Sequence, residues 1–274
     1  MAALDGKVVI VTGASSGIGA ATSLACAHEG ARVALAARRQ IRLEAIGEKV
    51  QQAGGEALIV STDVTNRSAI KELLNRVMER WGRIDVLVNN AARGLVAPFE
   101  ETSAEELCDL FSTNVVSVLM MTQAVLPIMR RQQRGHIINV SSIAGRHGTP
   151  FRAAYSATKF ALGGLTETLR QELKGTGIRV SLVYPVTTQT EFHEVEMRKI
   201  DIPHSGPIQS AETAARAIVQ CIKRPRAEVY THHLGFPLAL LTVLAPQLVD
   251  ALASAARHPQ TIKAASNVVP TKDT

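Results

Sequence analysis

Hydrophobic and polar positions along this chain alternate between two kinds of segment. Short runs are mostly apolar and rich in β-branched residues, and longer stretches repeat an apolar residue every three or four positions. The first kind is typical of strands and the second of helices that bury one face. The strand-like runs are Val8–Thr12, Arg32–Ala36, Ala57–Ser61, Val86–Asn89, His136–Val140, Arg179–Tyr184 and Glu228–Tyr230. The helical stretches are near Ile18–Glu29, Ile41–Ala53, Asn66–Trp81, Ala104–Arg131 and Ala153–Lys174.

This alternation predicts an α/β fold. Strands and helices in strict succession form a parallel sheet with helices on both faces. The strand runs are apolar without alternation, as expected for strands that are buried on both sides. We therefore expect a single doubly wound domain over residues 1–274, with a sheet of about seven strands. A chain of 274 residues is long enough to build the core of such a domain.

Two segments break the pattern. Residues 186–209 carry mixed charge, two prolines and no clean period. The run Leu234–Val249 has no charged residue and is apolar around its whole circumference, although Pro237 and Pro246 interrupt it. We expect a C-terminal helical extension over residues 234–274 that is loosely ordered towards its end.

The apolar run leaves two alternatives open. A helix that crosses a membrane needs about 20 apolar residues, and this run is shorter and broken by proline. We favour burial against a partner subunit or over a ligand pocket. The alternative is peripheral membrane contact through residues 234–257, which a cationic sequence directly beyond the run would support. Its members are Arg257, His258 and Lys263.

Composition excludes several function classes. Hydrophobic residues make up 46 % and charged residues 20 % of the chain, which is typical of a globular protein. The net charge is +6, but the basic residues are dispersed, so we expect no nucleic-acid partner. Cys26, Cys108 and Cys221 share no metal-ligand spacing, which predicts reduced, mostly buried thiols and no metal. The first residues lack the features of a secretory signal, so we expect a cytoplasmic location.

A glycine-rich turn follows the first strand. The sequence is Gly13-Ala14-Ser15-Ser16-Gly17-Ile18-Gly19, and a helical stretch begins within it. Glycines let the backbone approach a phosphate closely, and free N–H groups of a first helical turn point at it. The alternative is an ordinary strand–turn–helix corner. Its position at the first βα junction favours nucleotide binding.

Tyr155 and Lys159 lie four positions apart and therefore on one face of a helix. A tyrosine ordinarily titrates near pH ~10. A neighbouring positive charge favours the phenolate, so this pair can form a general acid/base. The alternative is an ordinary helix face, since the two-residue pattern is weak by itself.

With these motifs in sequence order, the chain resembles the short-chain dehydrogenase/reductase family from about Leu4 to Val229. Ser142 precedes Tyr155 by thirteen residues, which is the family's usual interval. The motifs that carry the resemblance are Thr12–Gly19, Asp63-Val64, Asn89-Asn90-Ala91-Ala92, Asn114, Ser141-Ser142, Tyr155/Lys159 and Pro185…Thr190. The resemblance implies a Rossmann fold and transfer of a hydride between a nicotinamide and a carbonyl or secondary alcohol.

The resemblance also implies a catalytic tetrad of Asn114, Ser142, Tyr155 and Lys159. Tyr155 would exchange the proton of the substrate oxygen, and Ser142 would hydrogen-bond the same oxygen. Lys159 would hold the nicotinamide ribose and lower the pKa of Tyr155. Asn114 would lie at a helix distortion and orient a water that reaches the lysine. Asparagine is indeed a poor residue for a helix interior.

Further cofactor contacts follow from the same resemblance. Asp63 and the backbone of Val64 would hold the adenine; the alternative for Asp63 is an N-cap of the next helix. Pro185 and Val186 would lie beside the nicotinamide, although Val186 replaces a glycine that the family often has. The remaining contacts are Gly13, Ser15, Ser16, Gly17, Ile18, Gly19, Asn90, Ala91, Tyr155, Lys159 and Thr190.

Charge at the end of the second strand predicts the cofactor. NAD-binding relatives carry an acidic residue there, whereas this chain has Ala37, Arg38 and Arg39. The guanidinium of Arg38 suits a 2′-phosphate. We therefore predict NADP(H) as the preferred cofactor, with NAD(H) also usable.

The resemblance implies a small-molecule carbonyl or alcohol as substrate. By resemblance, residues 186–209 correspond to the segment that forms the substrate lid in the family. Ile143, Phe151, Val186 and Phe192 favour a hydrophobic substrate. A substrate with a carboxylate or a phosphopantetheine arm stays an open alternative, because its negative charge would suit the basic side chains of Arg93, Arg146, His147 and Arg152. By resemblance, we expect a homodimer or homotetramer built on the helices Ala104–Arg131 and Ala153–Lys174.

Two non-catalytic alternatives stay open. One is a cofactor-binding sensor without turnover, against which the complete tetrad argues. The other is a membrane-surface or interaction protein that acts through Leu234–Val249, and this alternative is compatible with an enzyme.

Overall fold

In a computed structural model of the protein, which describes residues 3–202 and 206–255, seven parallel strands form one central sheet. All seven predicted strands lie in it, with ends that differ by one residue at most. They are β1 (Val8–Thr12), β2 (Arg32–Ala37), β3 (Glu56–Ser61), β4 (Val86–Asn89), β6 (Gly135–Val140), β7 (Ile178–Tyr184) and β11 (Glu228–Tyr230). Four short strands lie outside the central sheet: β5 (Leu95–Val96), β8 (Thr187–Gln189), β9 (Met197–Arg198) and β10 (Ile208–Ser210).

Helices cover both faces of the sheet. They are α1 (Gly17–His28), α2 (Gln40–Gln52), α3 (Arg67–Trp81), α4 (Ala104–Phe111), α5 (Ser117–Gln132), α6 (Ala153–Glu172), α7 (Phe192–Val195), α8 (Ala211–Lys223), α9 (Gly235–Leu244) and α10 (Pro246–Ala255). One core layer joins the sheet to α1, α2 and α8, and the other joins it to α3, α5 and α6. The strands read as continuous apolar runs because both of their faces are buried. The doubly wound α/β prediction is confirmed, including helices in the C-terminal extension.

The strand order is β11-β7-β6-β4-β1-β2-β3. The chain therefore winds outward in both directions from the boundary between β1 and β4, which pair in parallel. Loops that leave two adjacent strands towards opposite faces open a crevice at the carboxyl ends of those strands. The glycine-rich turn after β1 and Asn90 after β4 lie at this crevice.

The helical prediction needs two corrections. The stretch 104–131 is not one regular helix, because a π-helical turn at Ser112–Val116 separates α4 from α5. The helix α8 was not predicted, although Ser210 caps it and buried Ala214, Ile218 and Ile222 recur at helical spacing. The interrupted helix 104–132 is long and apolar enough to cross a bilayer, but it packs against the sheet and α3 as a core helix.

The apolar run divides into two helices at Pro246, which begins α10. Together α9 and α10 have one side towards the protein, where Ala239 and Val249 are buried. Their other side carries exposed Phe236, Val243 and Leu244. The expected loose order from Ala264 onward concerns residues outside the described part of the chain.

Candidate functional site

The glycine-rich turn fits tightly against the end of β4. Gly13 has φ +66°, and a Cβ there would lie 2.9 Å from the Cα of Ala91. A Cβ on Gly19 would collide with the carbonyl oxygen of Gly13. Because a side chain would not fit at either position, only glycine lets the start of α1 pack directly against the turn.

Thr12 and Asn90 hold this turn in place. The side-chain amide of Asn90 donates to the carbonyl oxygen of Thr12 at 2.9 Å. The Thr12 hydroxyl in turn accepts from the backbone N–H groups of Asn90 at 2.9 Å and Ala91 at 3.1 Å. Sequence reasoning assigned no such role to Thr12, because its partners lie more than seventy residues away.

Asp63 is not the cap of the following helix. Its carboxylate accepts from the backbone N–H and the hydroxyl of Thr65 at 2.9 and 2.6 Å. These hydrogen bonds lower the pKa of Asp63. The N-cap of α3 is Asn66, whose side chain accepts from the N–H groups of Ser68 and Ala69. The structure therefore removes the capping alternative, and Asp63 lines the groove beside Val64.

The two arginines after β2 make different contacts. Arg38 is exposed and lines the same groove. Arg39, which sequence reasoning did not select, donates to the hydroxyls of Ser15 at 3.2 Å and Ser16 at 2.8 Å. It also pairs with Glu191 at 2.6 Å. A guanidinium two residues after the strand is thus bound to the glycine-rich turn.

Tyr155 and Lys159 lie on the buried face of α6. The Lys159 Nζ is 5.7 Å from the centre of the Tyr155 ring and donates to the carbonyl oxygen of Val140 at 3.0 Å. Burial lowers the pKa of Lys159 to about 8. Burial raises the pKa of Tyr155, against the opposing effects of a hydrogen bond with Ser142 and the charge of Arg152. Desolvation is therefore the largest influence on the Tyr155 pKa in this structure, and the expected lowering by Lys159 stays a prediction.

Ser142 lies two residues after the end of β6 and is hydrogen-bonded to Tyr155 of α6. Its hydroxyl accepts from the backbone N–H of Ala144 at 3.2 Å and so caps the 3-10 turn Ile143–Gly145. A Cβ on Gly145 would lie 2.6 Å from the carbonyl oxygen of Lys159. This contact keeps the Ser142 loop tight against the helix that carries Tyr155.

Asn114 lies in the π-helical turn and is completely buried. Its side-chain oxygen accepts from the N–H of Arg93 at 2.8 Å, and its amide donates to the carbonyl oxygen of Arg93 at 2.9 Å. The amide also donates to the hydroxyl of Thr158 at 3.0 Å, which donates to the carbonyl oxygen of Tyr155 at 2.7 Å. Asn114 thus joins the loop after β4 to α6, and the predicted water route to Lys159 stays a prediction.

Val186 occupies the glycine position without backbone strain. Among the described residues other than glycine, only Gln133 and Phe151 have positive φ, so Val186 does not need the conformation that glycine permits. Pro185 accepts from the N–H of Ile143 at 2.8 Å. A Cβ on Gly17, which has φ +53°, would lie 3.0 Å from the side chain of Thr190. The segment after β7 therefore touches the glycine-rich turn.

One cavity of about 1220 Å³ joins these parts. It runs from Arg38 and Asp63, past Tyr155, to the inner side of α9 and α10. Every predicted site residue lines it except Gly19 and Asn114. Its far end is lined by Leu234, Pro237, Leu238, Leu241 and Val249 of the apolar run.

A buried ion cluster fastens the segment 186–209 beside Tyr155. Glu196 is buried and accepts from both Nη atoms of Arg152 at 2.7 and 3.0 Å and from Arg198 at 2.7 Å. Burial alone would raise the pKa of Glu196, but hydrogen bonds from His193 and Arg152 outweigh it and hold the pKa at about 2. A Cβ on Gly94 would lie 2.8 Å from the same carboxylate. Sequence reasoning could not find this cluster, because Arg152 lies 44 residues before Glu196.

Comparisons with known proteins agree with this geometry. A family model described as short chain dehydrogenase matches residues 7–200. A ketoacyl reductase of Nostoc sp., HetN, is 36% identical over 229 residues, which are 84% of this chain and 79% of that protein. The 3-oxoacyl-[acyl-carrier-protein] reductase FabG of Thermotoga maritima is 38% identical over 191 residues, or 70% and 78% of the two chains.

Solved structures show the same fold. A short chain dehydrogenase/reductase from Burkholderia phymatum in complex with NAD has a TM-score of 0.81 at 28% identity, covering 90% of this chain and 96% of that one. A metagenomic short-chain oxidoreductase in complex with NADP has a TM-score of 0.72 at 33% identity, covering 83% and 97%. The chain therefore belongs to the short-chain dehydrogenase/reductase family of oxidoreductases.

Proposed function

We propose that the protein is an NADP(H)-dependent oxidoreductase that interconverts a carbonyl and a secondary alcohol, with Tyr155 as general acid/base. The observation that carries this proposal is the position of Tyr155, Ser142 and Lys159 in one cavity that begins at the glycine-rich turn. When bound, the nicotinamide coenzyme supplies or accepts the hydride.

The residues around the substrate oxygen have separate tasks. The buried phenol of Tyr155 is protonated at neutral pH, which is the form that donates a proton to a carbonyl oxygen. The hydroxyl of Ser142 donates a hydrogen bond to the same oxygen and stabilises the charge that develops there. Lys159 would bind ribose hydroxyls, and its burial keeps the ammonium away from bulk water.

The turn and groove fit a dinucleotide. The turn places backbone at the end of β1 where side chains would not fit, and the N-terminus of α1 favours a phosphate. The end of β2 carries no carboxylate, while Arg38 lines the groove. These features support a 2′-phosphate, and hence the preference for NADP(H) over NAD(H).

A hydrophobic substrate is the better choice. Arg152 is already paired with Glu196, and Arg146 is paired with Glu228. The far end of the cavity is lined by apolar side chains of α9 and α10. We therefore propose that residues 186–202, 206–209 and 234–251 enclose an apolar ketone or acyl group, which agrees with the two relatives that are named as a ketoacyl reductase and a 3-oxoacyl-[acyl-carrier-protein] reductase.

The first experiment is a paired titration of the full chain with NADPH and NADH, followed by nucleotide fluorescence. We expect NADPH to bind more tightly, and Arg38→Ala to weaken NADPH binding about tenfold while changing NADH binding little. Arg131→Ala, on the exposed end of α5, is the matched control. A screen of ketones of increasing chain length with the tighter coenzyme then tests turnover. Coenzyme binding without turnover of any ketone or alcohol would favour the sensor alternative.

The outer side of α9 and α10 supports a second property, contact with a membrane surface. Val243 is 77% and Leu244 is 73% exposed, and the sequence beyond this part of the chain is cationic at Arg257 and Lys263. Apolar side chains with adjacent cations favour an anionic lipid surface. Flotation with vesicles of neutral and anionic phospholipid tests this proposal. The proposal is supported if the wild type binds anionic vesicles and the double variant Val243→Glu/Leu244→Glu does not. The control variant Ile41→Glu, which changes another exposed apolar residue, should still bind.

We also propose a cytoplasmic homodimer or homotetramer. Val116 and Phe160, on the two helices expected at the subunit interface, are 44% and 47% exposed in the single chain. Light scattering of the purified protein measures the number of subunits, and a monomer would contradict this proposal.

A further inference from the structure

Glu191 is a carboxylate of the predicted lid that reaches the arginines after β2. Its Oε1 accepts from Arg39 at 2.6 Å, and its Oε2 accepts from Arg42. Arg39 is the residue directly before α2, and Arg42 lies in the first turn of that helix. Both guanidiniums therefore belong to the place where the sequence predicts a 2′-phosphate.

The same contact reaches the glycine-rich turn. Arg39 donates to the hydroxyls of Ser15 and Ser16 while it holds Glu191. The neighbour of Glu191, Thr190, lies directly against Gly17. This set of contacts, which we call the Glu191 strap, ties the base of the lid to two walls of the nucleotide groove.

Charge makes Glu191 a competitor of a phosphate. A guanidinium binds a carboxylate and a phosphate with the same planar pair of donors. A phosphate that occupies Arg39 and Arg42 would have to displace Glu191 or lie beside its negative charge. A carboxylate and a phosphate that contact the same guanidinium would repel each other appreciably near a protein surface.

We propose that Glu191 determines coenzyme specificity by standing in for the 2′-phosphate. In this proposal, the strap seen in the structure stays closed with NAD(H). The 2′-phosphate of NADP(H) takes over Arg39 and Arg42 and releases the base of the lid. This proposal rests on the proposed nucleotide site.

The test compares the full-length wild type with Glu191→Gln, using NADPH, NADH and the fragments adenosine 2′,5′-bisphosphate and 5′-AMP as probes. We expect Glu191→Gln to tighten NADPH and bisphosphate binding about tenfold. We expect NADH and 5′-AMP to change less than twofold, because they lack the 2′-phosphate. The matched control is Glu194→Gln, which removes the same charge from an exposed residue of α7, the short helix that begins directly after Glu191.

An unchanged or lower ratio of NADPH to NADH affinity in Glu191→Gln would overturn the proposal. A second comparison isolates the arginines: in an Arg39→Met/Arg42→Met background, Glu191→Gln is expected to have no effect on the ratio. An effect as large as in the wild-type background would also overturn it. If the wild type bound none of the four probes, the proposed nucleotide site would itself be wrong, which is a different result.

Discussion

At the scale of single residues, the environment of Tyr155 decides its chemistry. A lysine one helical turn away predicts a lowered pKa, but complete burial of the phenol has the larger effect and raises it. The nearby charges are a mixture: Lys159 and Arg152 are cationic, and Glu196 is anionic. The net result is a neutral phenol, which is the form that can donate a proton.

Removal of the Tyr155 hydroxyl separates catalysis from binding. We expect Tyr155→Phe to lower kcat by roughly 10²–10⁴, the usual contribution of a general acid. Coenzyme affinity should change less than about twofold, because the ring and its packing against Phe192 at 5.9 Å are kept. Turnover and fluorescence titration on the same preparation measure both quantities. Equal turnover by the variant would exclude Tyr155 as the proton donor.

At the scale of secondary structure, the elements that could be predicted are those with a distinctive local sequence pattern. Each central strand is buried on both faces, so its apolar run is continuous and readable. Helix α8 also carries a readable signal, a serine cap followed by Ala214, Ile218 and Ile222 at helical spacing. The short strands β8, β9 and β10 were not readable, because segments of two or three residues are too short to show a hydrophobic pattern.

The ion cluster of Glu196 illustrates that limit and gives a prediction. Removing one partner of a buried pair leaves the other charge uncompensated, at a cost of about 3 kcal/mol or more. We therefore expect Glu196→Met to destabilise the protein strongly, and the double variant Arg152→Met/Glu196→Met to be less destabilised than the sum of the two single variants. Urea unfolding of the four proteins completes the double-mutant cycle. Strict additivity would mean that the pair does not fasten the lid.

At the scale of the whole molecule, the site is a product of topology. The reversal of strand order between β1 and β4 opens the crevice, and the sequence motifs fall on the loops that border it. The place of the glycine-rich turn could therefore be predicted, since its motif is local, whereas the tetrad comes from the family resemblance and its catalytic role stays a prediction. The contacts of Arg39 with Glu191 and of Arg152 with Glu196 could not be predicted, because each joins segments that only the folded chain brings together.

The buried residue His136 makes the stability of the folded protein depend on pH, and this dependence can be measured. This histidine is buried between β6 and β7, with Nε2 at 2.8 Å from the hydroxyl of Ser181. Burial, aided by the charges of Lys7 and Arg179, lowers its pKa from 6.5 to about 4. The unfolded chain therefore binds a proton at pH 5 that the folded chain does not, so stability must fall as the pH drops below 6.5.

The expected size of this effect is about 2 kcal/mol between pH 7.5 and pH 5.0. Glu196 contributes only about 0.2 kcal/mol in this window, because its pKa of about 2 and the ordinary value of 4.5 both lie below pH 5.0. The measurement is the free energy of unfolding in urea at both pH values, for the wild type and for His136→Gln. The variant can still hydrogen-bond Ser181 but cannot titrate, so its loss of stability should be smaller by about 2 kcal/mol. An equal loss in both proteins would assign the acid sensitivity to other groups and would mean that His136 accepts a proton without unfolding the core.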